Sequence, residues 1–322
     1  MKLGVFISSV FSELSFEQML DFVQSVGMEA LELGTGNYAG NAFVKLDELL
    51  ADEYKRKAFL HAIESRGLFI AAFSVQGNPL HPDRTIAKEH HETFIKTIQL
   101  ANKMGVPIVN NFSGQPGTPY PGIFPNFVTV SWPPEYPQLN EWQWNHVVIP
   151  YWKEAGRYAA LHQVKIGIEL HPGFAVHSPA TLLRLRHAVG DVIGASFDAS
   201  HLWTQGINPV EAVKILGYAG ALYFVSTKDM EFNEFNMNMY GINDIQPSDS
   251  IRTRAWIYRT VGYGHDIKIW ADLISALQMT GYSYVFSIEQ NDPLMDMLEG
   301  VTKAANLMKE WLIRVPYRPK RP

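Results

Sequence analysis

The feature that most constrains this chain is an alternation. Short apolar, strand-like runs take turns with longer amphipathic, helix-like runs from one end to the other. Residues 3–7, 30–33, 68–73, 107–112, 165–169, 193–197, 221–225 and 284–288 read as strands. Between them the helix signals are local. Ser15 suits an N-cap, and Phe16, Met19, Leu20, Val23 and Val26 then recur at helical spacing up to Gly27. A helix from about Thr85 to Met104 stops at Gly105, and Pro179 follows Ser178 at a first helical position. Eight strand–helix units in one unbroken series favour a parallel sheet with helices outside. In 322 residues they fit a single (β/α)8 barrel domain spanning 1–322, enlarged in the loops after strands four and seven. A doubly wound open sheet is the alternative. The first strand–helix turn lacks the Gly-x-Gly-x-x-Gly of a dinucleotide-binding version.

Both long loops have character. The stretch from 112 to about 140 is rich in proline, tyrosine and tryptophan, which argues against disorder. Its Trp132, Trp142 and Trp144 can stack on a flat ligand, although Trp144 reads better as the start of a covering helix. The second stretch, 229–263, is rich in asparagine and methionine.

Composition excludes several classes. A formal net charge of -5 without a basic stripe argues against a nucleic-acid partner. Arg318, Lys320 and Arg321 read as a solvated tail. With no cysteine, disulfides and thiolate metal sites are excluded, so any metal must use His, Asp or Glu. The opening Met1-Lys2 and apolar run are short, lack a small-residue cleavage pattern, and read as the first strand. No run approaches the ~20 apolar residues of a membrane span. A cytoplasmic protein is expected.

In such a barrel the chemistry gathers at the C-terminal ends of the strands. The fifth exit carries Glu169 and His171, two apart and so on one side of an extended chain. A plain buried hydrogen bond is one reading of that pair; metal binding and proton transfer is the other. The sixth exit adds Asp198 and His201, the seventh Ser226, Lys228 and Asp229, and the eighth Glu289 with Asn291 and Asp292. His265 stands just before the following helix. Three acids at neighbouring exits are costly together without a cation. Oxygen-rich ligation with an imidazole suits Mn2+ first, then Mg2+, Co2+, Zn2+ or Fe2+. Glu89-His90-His91-Glu92 reads instead as a solvated helix face, because adjacent helical histidines point in different directions. His61, His162 and His187 read as surface or packing residues.

Several stretches carry a family resemblance: GNPLHPD at 77–83, FSGQPG at 112–117, IELHPGF at 168–174, FDASHLWTQGINP at 197–209, RTVGYGHD at 259–266 and SIEQNDPLM at 287–295. Over nearly its whole length the chain resembles the xylose-isomerase-like TIM barrels, the sugar phosphate isomerase/epimerase superfamily. Within it the chain is most similar to the α-subunit of bacterial C-glycoside deglycosidases. The resemblance implies a divalent metal on Glu169, Asp198 and Glu289, with His201 facing the substrate. It departs at the seventh exit, where Ser226 stands at the usual histidine position, so His265 is the expected fourth ligand. Relatives also tend to carry histidines where this chain has Gln76 and Gln290. Gln76, His81 and Lys228 are further expected substrate contacts.

The implied reaction starts by removing a proton next to a carbonyl, with His171 as the natural base. Glu169 and Glu289 can also serve as bases. The expected reaction is the lyase one: the substrate is a 3-oxo C-glycoside, the carbon–carbon bond to an aromatic aglycone breaks, and a small β-subunit or a homo-oligomer is the expected partner; an isomerase or epimerase is the alternative. In the isomerase or epimerase version the proton returns to the sugar. An abasic-site endonuclease and an inactive partner subunit are the remaining readings.

Overall fold

The computed structural model of the chain describes residues 1–315; the basic tail at 318–321 lies outside the described residues. The strands are β1 (Lys2–Ile7), β2 (Ala30–Gly34), β3 (Phe69–Ser74), β4 (Ile108–Asn111), β5 (Lys165–Glu169), β6 (Ile193–Asp198) and β7 (Leu222–Thr227). They are followed by β8 (Asp229–Phe232), β9 (Trp256–Arg259) and β10 (Val285–Ile288). Eight of them close into an all-parallel barrel in the order β1-β10-β7-β6-β5-β4-β3-β2, β1 pairing with both β2 and β10. This is the (β/α)8 architecture that the alternation predicts. Strands buried on both faces explain the near-continuous apolar runs.

The helices pack their apolar stripes onto the outside of the barrel. Phe16–Ser25 buries Met19, Leu20 and Val23, and Ser15 starts it with a capping box, accepting from the Gln18 amide while Gln18 bonds back. Ser178 does the same for Pro179–Val189. Arg84–Met104 begins at Asp83, whose side chain accepts from the Thr85 amide, and ends at Gly105 with φ 69°. Its His90 and His91 are packing residues rather than the solvated face expected. His90 is buried and its Nδ1 accepts from the Asn78 amide; His91 Nδ1 lies 2.9 Å from the Tyr151 hydroxyl.

Both long stretches contain regular elements. The first coil ends earlier than about 140, since a helix spans Glu135–Gln143 and runs through a wide turn at Trp144–Val148 into Ile149–Leu161. Trp144 is buried there, whereas Trp132 is 77% exposed. The second stretch contains an antiparallel hairpin, β8 with β9, and a short helix, Glu234–Tyr240. Among the described residues no helix is long and apolar enough to cross a membrane.

One polar layer interrupts the apolar barrel interior. Glu32 of β2 is buried, and its Oε1 accepts from Ser74 Oγ at 2.5 Å and Asn110 Nδ2 at 3.0 Å. Its Oε2 accepts from Ser287 Oγ at 2.8 Å. Gly167, opposite Asn110 in the β4–β5 register, makes room for this layer: a Cβ there would stand 2.3 Å from Asn110 Oδ1. Burial pushes the Glu32 carboxyl up to about 7, against the lowering effect of its three donors.

Candidate active site and metal centre

Parallel strands that all end on one rim bring β5, β6, β7 and β10 to a common cavity of about 200 Å³. Glu169, His171, His201, Lys228, Glu289, Gln76 and Asn291 are its polar lining, and Phe6, Tyr38, Phe112 and Tyr258 its aromatic lining. Asp198 lies directly behind, fully buried.

The ion pairs form a chain. His201 Nε2 is 2.9 Å from Glu169 Oε1 and 3.5 Å from Asp198 Oδ2. Gln76 Nε2 donates to Glu169 Oε2 at 3.0 Å. Lys228 Nζ lies 3.0 Å from Asp198 Oδ2 and 2.8 Å from Glu289 Oε1. Asp198 Oδ1 accepts from the Ser200 amide at 2.9 Å. Its Oδ2 is ion-paired but receives no hydrogen bond of acceptable direction, and Gln76 Oε1 and His201 Nδ1 are also buried without partners.

Burial raises the carboxyls of Glu169 and Glu289, with Lys228 acting against it. For Asp198 burial also works upward, but the Lys228 and His201 charges outweigh it and hold the group low. Burial alone would lower Lys228; the surrounding carboxylates reverse this and hold it firmly protonated. His171 is pushed down to about 3 by burial and by the neighbouring His201. Its Nδ1 lies 2.6 Å from the Pro172 carbonyl, which can only accept, so Nδ1 carries the proton and Nε2 is left with a free lone pair. His171 is clamped between Phe112, with ring centroids 4.7 Å apart, and His201, at 4.0 Å.

The donor set fits a divalent cation. One oxygen each of Glu169 and Asp198 and a ring nitrogen of His201 all lie within 4.8 Å of one another. Three carboxylates, Glu169 and Asp198 buried and Glu289 partly exposed, against one ammonium leave two negative charges, which one divalent ion would balance. Asp198 Oδ2, buried and without a directed hydrogen bond although ion-paired with Lys228, leaves room for a further cation contact.

The expected site residues therefore divide. Glu169, Asp198, His171, His201, Lys228, Glu289 and Gln76 gather around the cavity. His201, expected on the substrate, sits among the candidate ligands. His265 is a correction: its Nδ1 is 2.8 Å from Asp229 Oδ1 and its ring stacks on Trp203 at 3.8 Å, away from the carboxylates. His81 is another: it does not line the cavity, and its Nδ1 accepts locally from the Asp83 amide at 3.0 Å. Glu32 and Tyr258 escaped the sequence reading. Tyr258 sits on the hairpin, its ring centroid 4.8 Å from Lys228 Nζ and 6.2 Å from the His201 ring. The alternating apolar run Trp256-Ile257-Tyr258 was the available signal.

With this geometry in place the relatives can be compared. The profile of the xylose isomerase-like TIM barrel matches residues 20–311. The chain belongs to that family. It is 35% identical over 313 residues to YfiH, an uncharacterized protein of Bacillus subtilis (strain 168), covering 96% of this chain and 99% of that one. Solved structures share the xylose isomerase-like fold at low identity. One is the probable 3-DHS dehydratase AsbF of Bacillus anthracis, with TM-score 0.66, 16% identity and coverage of 96% and 99%. Another is a D-tagatose 3-epimerase-like protein, with TM-score 0.65, 18% identity and 97% of each chain. A third is the IOLI protein, solved with a zinc atom, with TM-score 0.63, 18% identity and coverage of 97% and 99%.

Proposed function

We propose that this protein is a divalent-metal-dependent isomerase or epimerase that shifts a proton on the carbon next to the carbonyl of a single sugar-sized molecule. The observation that carries this reading is the cavity. At about 200 Å³ it is smaller than the ~300–1,000 Å³ of sites that take drug-sized ligands. A volume of this order suits one sugar-sized molecule, and an attached aromatic aglycone would extend beyond it. The aromatic rings in its lining suit the apolar face of a sugar, and the charged groups among them suit its oxygens.

Glu169, Asp198 and His201 would hold the metal, which supplies charge stabilisation to a substrate oxygen. The rest is done by side chains. His171 Nε2 takes the proton, because its Nδ1 is committed to Pro172 and its ring is fixed by Phe112. With its pKa held at about 3 it is a weak base, so the transfer depends on charge stabilisation of the substrate oxygen. Lys228 offers a fixed positive charge to the oxygen on which negative charge develops. Once protonated, His171 can return the proton to the sugar, while Glu289, ion-paired with Lys228 on the cavity wall, holds that ammonium in place. The D-tagatose 3-epimerase-like neighbour and other epimerase structures on this fold support the class.

A second reading is favoured by one observation. Tyr120, Phe124 and Trp132 on the 112–134 segment are 79%, 78% and 77% exposed. They offer flat surfaces outside the cavity for an aromatic aglycone, or for a small partner subunit covering it. In that version the same proton removal, beside a 3-oxo group, expels the aglycone carbon, which takes up a proton as it leaves, either that of the protonated His171 or one from water. The metal-loaded protein is tested with ketohexoses and with a 3-oxo C-glycoside. Interconversion of free sugars supports the first reading; release of aglycone without it replaces the first reading with the second.

A further inference from the structure

The three carboxylates of the site are not equivalent, and Lys228 is the reason. Its Nζ stands between Asp198 Oδ2 at 3.0 Å and Glu289 Oε1 at 2.8 Å, with its side chain 4% exposed. Glu289 stands apart from the group formed by Glu169, Asp198 and His201, whose ligand atoms share one sphere. Asn291 Nδ2 also donates to Glu289 Oε1, at 2.5 Å, so that oxygen already has two protein partners. Asp198 Oδ2 meets the same ammonium but also faces His201 at 3.5 Å, in a residue 1% exposed, so it belongs to both groups.

We infer that Lys228 is a tethered cation that occupies the Asp198–Glu289 side of the cluster and withholds Glu289 from the divalent ion. The ion then sits on Glu169, Asp198 and His201 alone, and it is held weakly. Two features weaken it. The ammonium shares Asp198 Oδ2 with the ion and repels it. His201 Nδ1 has no partner to orient the ring and raise its basicity, as the far nitrogen of a ligating histidine ordinarily has. The charges balance with both cations present: three carboxylates, one ammonium and one divalent ion sum to zero.

The inference rests on the metal part of the reading above and not on the substrate. The test is calorimetric titration of the metal-free protein with Mn2+, with the Mn2+ resonance spectrum as a second readout. The wild-type chain should bind one ion. Lys228→Met should bind it at least about tenfold more tightly, ~1.4 kcal/mol. Glu289→Gln should stay within about threefold of wild type, while Glu169→Gln should lose at least about tenfold, the range typical of disturbed metal shells. If Lys228→Met fails to fold, the Glu289→Gln and Glu169→Gln pair decides. The inference is overturned by equal losses in those two variants, by unchanged or weaker binding in a folded Lys228→Met, or by no binding in wild type. None of these readings involves turnover, so failure here is distinct from failure of the proton-transfer reading.

Discussion

Replacing Glu32 by glutamine tests the electrostatics of the barrel floor. In the folded chain burial moves this carboxyl from 4.5 to about 7. A raised acid pKa means that the folded state binds more protons than the unfolded state between those values. Its stabilising contribution is complete below pH ~4.5 and is lost as pH rises through about 7. The loss amounts to roughly 3 kcal/mol, taking 1.36 kcal/mol per pKa unit. Glutamine has the same shape and does not titrate. Its Oε1 can keep Ser74 and Asn110, and its Nε2 can donate to Ser287 once that hydroxyl rotates. The stability of Glu32→Gln relative to wild type should therefore rise by about 3 kcal/mol between pH 4.5 and pH 8. Urea unfolding of the metal-free proteins at both pH values, followed by tryptophan fluorescence, measures it. A difference between variant and wild type that does not change with pH would refute the reasoning.

Asp229 is the anchor of the hairpin region. Its Oδ2 accepts from the amides of Gly262, Gly264 and His265, and its Oδ1 from the Met230 amide and His265 Nδ1. Asp229→Ala should cost about 3 kcal/mol by removing these five hydrogen bonds at once and leaving the buried Met230 amide unpaired, read as a lower melting temperature and new protease cleavage between 229 and 266. A melting temperature equal to wild type would contradict it. His171 and His201, pushed down to about 3 and about 4, stay neutral in the folded chain while the unfolded chain protonates. Their contribution is present above pH ~6.5 and lost as pH falls toward those values. His171→Phe should flatten the acid limb of a melting-temperature profile, and an unaltered limb would refute the assignment.

What the sequence makes legible follows from what a barrel dictates. Once eight strands run parallel, Glu169, Asp198, Lys228 and Glu289 must leave on one rim, because each follows the end of a strand read from its apolar run. Loop residues obey no such period. His265 is adjacent to the rim in sequence, yet Asp229 captures both its amide and its ring. Gly264 allows that close approach, since a Cβ there would meet the Met230 carbonyl at 2.1 Å. His81 is turned aside by the local bond from the Asp83 amide. Glu32 lies mid-strand in an apolar run, and its partners come from β3, β4 and β10, far away in the chain. Tyr258 depends on a hairpin whose pairing bridges an asparagine- and methionine-rich stretch.

The central claim is that His171 moves a substrate proton at a metal-assisted site. The most direct measurement is proton exchange by NMR: the Mn2+-loaded protein and a panel of ketohexoses, including D-tagatose, D-psicose and D-fructose, in heavy water. The account predicts deuterium entering the carbon next to the carbonyl of at least one sugar, abolished in His171→Ala while that variant still binds Mn2+. Exchange that survives in His171→Ala, or no exchange with any sugar by a chain that holds its ion, would contradict it.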